Sequence, residues 1–136
     1  MKIRAVKYKQ KTLEKEILKP VVGTHVFGNL YGVDAELLKD PVLAKEIVFN
    51  AAEKGNLHII DILEKQFNII DSPDAGGISI IALLIESHIA LHTWPESNYV
   101  TIDIYSCGES SKPQEAFDYI VSKFKPVDLE KFETKR

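Results

Sequence analysis

A chain of 136 residues with 45% apolar side chains can build one hydrophobic core without disulfides or a structural metal, and its lone cysteine, Cys107, excludes an internal disulfide framework. The net charge of −3 comes without any element that concentrates basic and aromatic residues, which argues against a nucleic-acid partner. The opening "MKIRAVKYKQ" lacks the apolar run of a signal peptide, and the longest apolar run, residues 80–85, is far too short to cross a membrane, so a cytoplasmic domain with no membrane partner is expected.

Residues 1–20 mix Lys and Glu with scattered aliphatics and read as an N-terminal arm that Pro20 closes. In residues 21–33, "VVGTHVFGNLYGV", β-branched and aromatic residues punctuated by Gly23, Gly28 and Gly32 predict a strand with a bulge or a close backbone approach. Asp34 is placed to cap a helix. Leu43, Ala44, Ile47, Val48 and Ala51 then fall on one helical face, with Pro41 dividing a short turn from the helix and Gly55 stopping it. "LHIIDIL", residues 57–63, predicts a second strand, and residues 64–77, dense in turn formers toward Gly77, predict a loop.

"ISIIALLI" reads as a third, buried strand, and "SHIALHTW" resumes the extended pattern. In "NYVTIDIYSC" the alternation is strict, with Val100, Ile102 and Ile104 on one face and Thr101, Asp103, Tyr105 and Cys107 on the other. Phe117, Ile120, Val121 and Phe124 mark an amphipathic helix that ends near Pro126, and residues 127–136 read as a peripheral tail. The order β, α, β, β, β, α predicts an α/β chain in which residues 21–126 form a two-layer α+β sandwich, a mostly antiparallel sheet with both helices on one face. The other sheet face then carries polar residues that a substrate site or a subunit interface would explain.

The densest polar cluster is "ESHIALHTWPE", residues 86–96. Strand parity puts His88 and His92 on the face of Asp103 and Cys107, while Ser87 has the opposite parity to His92, so a joint role for Ser87 and His92 needs a turn or break at Glu86 and Ser87. Each residue also has a plainer reading: Ser87 as a strand-end serine, the histidines as half-buried imidazoles with satisfied hydrogen bonds, and Cys107 as a small packing residue. "HTWPE" has one too, as a strand terminus that Pro95 stops. A metal held by His88, His92 and Cys107 would lack the paired ligand spacing of known sites, so none is expected, and a thiol hydrolase built on Cys107 and His92 has no local motif behind it.

Taken together, "ESHIALHTWPE", the following "TIDIYSCGE", Ser79 in "GGISII" and the upstream "GTHVFGNLYGVD" resemble the small prokaryotic S-adenosylmethionine decarboxylases, which generate their own pyruvoyl cofactor. The resemblance runs from about Gly23 to Phe124. It implies that Ser87 Oγ attacks the Glu86 carbonyl carbon and that the chain parts there, giving a β chain of residues 1–86 and an α chain, 87–136, headed by a pyruvoyl group. Such a group forms a Schiff base with a substrate amine and accepts the electrons released with CO2. His92 is implied as the base that takes the Ser87 α-proton, Ser79 as a support for the cyclic intermediate, and Cys107 as the proton donor after decarboxylation.

Glu96 is implied as the carboxylate that binds ribose hydroxyls, and Phe67 is the one aromatic residue in the loop where the family carries its adenine-stacking ring. The implied product is the aminopropyl donor for spermidine synthesis, and the implied assembly is a homodimer of αβ units with sites near the interface. Arginine is the alternative substrate, because some archaeal relatives use the same "ESH" machinery on it; its guanidinium requires a carboxylate, with Asp34, Asp71 and Asp74 as candidates. A non-catalytic α/β binding module is the remaining alternative, and it predicts an uncut chain.

Overall fold

Alternation along the strands sorts the side chains onto two sheet faces, one apolar and one mixed. The computed structural model describes residues 22–67 and 76–136. The elements are β1 (Thr24–Tyr31), α1 (Pro41–Lys54), β2 (Ile59–Phe67), β3 (Gly77–Leu84), β4 (Ser87–Trp94), β5 (Tyr99–Ser106), α2 (Pro113–Phe124) and β6 (Asp128–Lys135). The six strands form one sheet in the order β2-β3-β4-β5-β1-β6, with every neighbouring pair antiparallel. The expected two-layer sandwich is present: α1 and α2 pack on each other and on one sheet face. The arm at residues 1–20, together with Asp71 and Asp74, lies outside the described residues.

Local chemistry sets the helix ends. Asp40 caps α1, its carboxylate accepting from the Leu43 N–H at 3.0 Å, and Pro41 occupies the first turn, where its missing N–H costs nothing. Asp34, expected as the helix cap, instead accepts from the Glu36 N–H and heads the short 3-10 turn Leu37–Lys39. The helix α2 starts at Pro113 and stops where Lys125 turns left-handed. Ala44, Ile47 and Val48 of α1 and Phe117, Ile120 and Phe124 of α2 face the sheet and are fully buried. They meet Val26 and Leu30 of β1, Ile89 and Leu91 of β4, and Ile102 and Ile104 of β5.

Two boundaries differ from expectation. β2 runs on through Glu64, Lys65, Gln66 and Phe67, in register with residues 77–80 of β3, so the loop expected from residue 64 begins later. An edge strand keeps one side of its backbone in solvent and tolerates the charges that made this stretch read as loop. The supposed tail is β6, paired with β1 from Tyr31↔Asp128 to Thr24↔Lys135. All eight of its side chains are exposed, so no buried alternation marked it in the sequence. Gly28 permits this pairing: a Cβ there would stand 2.0 Å from the Glu130 carbonyl oxygen and 2.9 Å from the Phe117 ring. The close approach expected of the β1 glycines is therefore real, without a bulge, since β1 keeps unbroken register with both neighbours. No helix among the described residues is long and apolar enough to cross a membrane.

Candidate active site

The site begins at the hairpin between β3 and β4. Ile85 and Glu86 alone reverse the chain, and the next residue, Ser87, takes a φ of 152°, a region that side chains other than glycine rarely adopt. Holding a residue with a Cβ there costs on the order of 1–3 kcal/mol, so neighbouring contacts must supply the restraint. Those contacts converge on Glu86. Its carbonyl oxygen accepts from the Cys107 backbone N–H at 3.0 Å and from the Cys107 thiol at 3.3 Å. Its side-chain carboxylate accepts from the His58 N–H at 2.7 Å and lies 3.0 Å from His58 Nδ1. The carbonyl is thus polarised by two donors at the peptide bond that the sequence resemblance marks for cleavage.

Ser79 and His92 form a second pair. They are cross-strand partners on β3 and β4, with Ser79 Oγ 2.7 Å from His92 Nδ1. The turn expected near Glu86 and Ser87 is present at Ile85 and Glu86, but it falls before Ser87 and does not bring Ser87 to His92, because β4 then runs unbroken from Ser87 to Trp94. Five residues of strand separate them by roughly 16 Å. Glu96 lies farther still, exposed in the turn after β4, roughly 23 Å of strand beyond Ser87. Phe67 is at that same end of the sheet, opposite Gly77 on β3. Within one chain, then, the expected residues fall into two groups: Glu86, Ser87 and Cys107 at one end, and Ser79, His92, Phe67 and Glu96 toward the other.

The open sheet face between them carries groups that motif reading passed over. Asp103 bridges two imidazoles, with His25 Nε2 2.9 Å from one carboxylate oxygen and His88 Nε2 3.1 Å from the other. These residues line a concavity with Phe27, His92 and Arg136. At the Glu96 end, Trp94, Tyr99 and Tyr31 form a run of rings with centroids 5.2 and 5.3 Å apart. Glu130 of β6 accepts from the Tyr31 hydroxyl and from Asn29, and the Tyr31 bond in particular holds its carboxyl below the usual range. The same bond pushes the Tyr31 phenol up to about 12. Parity had placed His88 with Asp103, but His25, His58 and Glu130 carried no signal: each acts through a contact between distant segments. Among the described residues, no group of three His, Cys, Asp or Glu side chains is gathered as a metal ion requires.

The family model described as S-adenosylmethionine decarboxylase matches residues 24–136, nearly the whole described chain. The chain belongs to the S-adenosylmethionine decarboxylase family. The arginine decarboxylase proenzyme of Caldivirga maquilingensis is 49% identical over 82% of this chain and 81% of its own length. Three further proteins named arginine decarboxylase proenzyme match at 44 to 51%. The S-adenosylmethionine decarboxylase proenzyme of Pyrobaculum neutrophilum is 44% identical over 82% of this chain and 86% of its own.

Among solved structures, the adenosylmethionine decarboxylase from Aquifex aeolicus VF5 superposes with a TM-score of 0.76 at 35% identity, covering 87% of this chain and 92% of that one. The family consists of pyruvoyl-dependent decarboxylase proenzymes that cleave themselves to make the pyruvoyl group, so the chain is an enzyme of that class. The residues here fit such a group: Ser87 is a strained serine whose preceding carbonyl is gripped by two donors.

Proposed function

We propose that this proenzyme cuts itself between Glu86 and Ser87 and that the matured enzyme decarboxylates arginine. The observation that carries the first half is the double contact of Cys107 on the Glu86 carbonyl, beside the strained Ser87. Ser87 Oγ adds to the Glu86 carbonyl carbon, the carbon–nitrogen bond breaks, and the hydroxyl proton passes to the freed nitrogen. Two donors on the carbonyl oxygen stabilise the charge that develops there. Removal of the Ser87 α-proton then expels Glu86 as a carboxylate, and water replaces the residue 87 nitrogen, lost as ammonia, to leave a ketone. That ketone supplies the electron sink for decarboxylation once a substrate amine has joined it. Cys107, half-buried next to residue 87, is placed to return a proton to the substrate α-carbon after CO2 departs.

The α-proton is taken by His92 with Ser79 holding its ring, and we assign both to a second copy of the chain. The strand distance within one copy supports this, as does the open face, where Leu63, Ile81 and Leu83 are exposed by 72%, 46% and 52%. Two sheets facing each other about a two-fold axis cover these apolar side chains and lay the His92, Phe67 and Glu96 end of one copy over the Ser87 and Cys107 end of the other. The unit is then a homodimer of αβ pairs.

Arginine is preferred because four related proteins at 44 to 51% identity carry that name. S-adenosylmethionine, which the sequence resemblance alone pointed to, is the second reading. It is favoured by the Aquifex structure and by the exposed rings of Phe67 and Trp94, which suit adenine or a sulfonium. The test is the denatured mass before and after a carbonyl-trapping hydrazine, followed by CO2 release from labelled arginine and labelled S-adenosylmethionine in parallel. Two fragments parting at Glu86, with only the α chain labelled and CO2 from arginine, are expected. An uncut, unlabelled chain overturns the processing reading, and CO2 from S-adenosylmethionine alone overturns the substrate.

A further inference from the structure

Glu86 sits in a two-residue hairpin turn, where a carboxylate ordinarily reaches into water. Here only 12% of its side chain is exposed, against 62% for the His58 side chain that covers it. His58 directs nearly all its hydrogen-bonding groups at this turn. Its backbone N–H donates to Glu86 Oε1 at 2.7 Å, its carbonyl accepts from the Ile85 N–H at 2.9 Å, and its Nδ1 lies 3.0 and 3.2 Å from the two carboxylate oxygens. His58 immediately precedes β2, next to the register irregularity at Ile59 and Asp61, and so is joined to the sheet edge rather than to the hairpin it grips.

We propose that His58 is a positioning residue for self-cleavage, locking the Glu86 side chain so that the Glu86 carbonyl carbon stays within reach of Ser87 Oγ. The inference rests on the cleavage reading above. Glu86 has two anchors on opposite sides of the bond to be cut. His58 belongs to the future β chain and holds the side chain, while Cys107 belongs to the future α chain and holds the carbonyl. With both in place, Glu86 cannot rotate its carbonyl away while the Ser87 Oγ–carbon bond forms, the carbon–nitrogen bond breaks and the hydroxyl proton moves to nitrogen. With the imidazole gone, the carboxylate keeps only the His58 backbone N–H and gains freedom toward water, the carbonyl is held less firmly, and small misplacements of reacting atoms slow such steps steeply.

The test separates this role from simple support of the hairpin. Asparagine places an amide donor where the imidazole Nδ1 stands, whereas leucine and phenylalanine fill comparable space with no donor. The full chain is pulse-labelled in a cell-free translation reaction, and its conversion to two fragments is followed on denaturing gels. Melting temperatures are taken on a Ser87→Ala background that cannot be cut. His58→Leu and His58→Phe are expected to convert at least about tenfold more slowly than wild type, and His58→Asn within roughly threefold of it. Wild-type conversion in both donor-free variants overturns the proposal. So does an asparagine variant as slow as leucine at an equal melting temperature. An uncut wild-type chain overturns the cleavage reading itself, and this inference with it.

Discussion

Ser79 Oγ and His92 Nδ1 are 2.7 Å apart, yet Ser87, on the same strand as His92, stands at the strand's opposite end. The proposed assembly of one site from two copies has a genetic signature. Ser87→Ala chains and His92→Ala chains are each expected to stay uncut when made alone. Co-expressed, they form mixed dimers in which an intact Ser87 faces an intact His92, and the His92→Ala chain is cut. Gel analysis of differently tagged chains reads this directly; a His92→Ala chain that remains whole in purified mixed dimers refutes the shared site.

Cys107 contributes a backbone N–H and a thiol to the same carbonyl, and substitution removes only the thiol. Loss of one donor to a developing oxyanion typically costs about a hundredfold or more, but the surviving N–H moderates this, so Cys107→Ala is expected to slow self-cleavage by roughly ten- to a hundredfold. Protein that has nonetheless matured is expected to show reduced kcat with a near-wild-type melting temperature. Unaltered cleavage and turnover would confine Cys107 to packing.

Tyr31 and Glu130 give a pH-dependent readout of β6 docking. Bonding to Glu130 raises the Tyr31 phenol to about 12, and the same bond lowers the Glu130 carboxyl. A raised phenol contributes stability that is complete below the ordinary value near 10 and is lost as pH rises through about 12. The depressed carboxyl contributes stability above its ordinary value of 4.5, lost as pH falls through its lower folded value. Phenolate absorbance, with Tyr31→Phe as the reference, is expected to place the Tyr31 transition near 12 and to return it toward 10 in Glu130→Gln. An unmoved transition in Glu130→Gln shows that the strands are not joined there.

What the sequence revealed follows from how each feature is encoded. The core strands announced themselves because Val100, Ile102 and Ile104 alternate with polar neighbours, and α2 because Phe117, Ile120 and Phe124 recur at helical spacing. β6 was illegible because an edge strand exposed on every side chain has no period to read. The motif residues Glu86, Ser87, Ser79, His92 and Cys107 were all named in advance, but their grouping was not. Parity shows that Ser87 and His92 do not meet along an unbroken strand; it does not show that the turn falls before Ser87 and leaves both residues on one continuous β4. His58 was invisible for a third reason: its contact with Glu86 spans 28 residues and involves the backbone as much as the ring.

Gly28 tests the pairing of β6 by stability alone. Its missing side chain admits the Glu130 carbonyl and the Phe117 ring, and neither the strand backbone nor a fully buried ring can yield much. Gly28→Ala is expected to lower unfolding stability by about 1–3 kcal/mol or to displace β6, measured by denaturant titration and by hydrogen exchange of residues 128–135. Wild-type stability with β6 still protected would contradict the close approach.

The open face makes the last prediction, because among the described residues nothing covers its apolar side chains. Ile81 lies mid-strand on β3 between Leu63 of β2 and Ala90 of β4, almost half exposed, and its substitution changes nothing on the helix side of the sheet. A lysine there costs the folded single chain little, since the position is already wet. In a face-to-face dimer the same lysine places a charge in the apolar centre and meets its own symmetry mate or close neighbours. Ile81→Lys is therefore expected to sediment as a monomer with a melting temperature close to that of a monomeric wild-type chain at high dilution. It is also expected to remain uncut, because His92 of a second copy no longer reaches Ser87. A dimeric Ile81→Lys protein moves the interface elsewhere, and a monomeric one that cleaves itself at the wild-type rate brings His92 and Ser87 together within one chain after all.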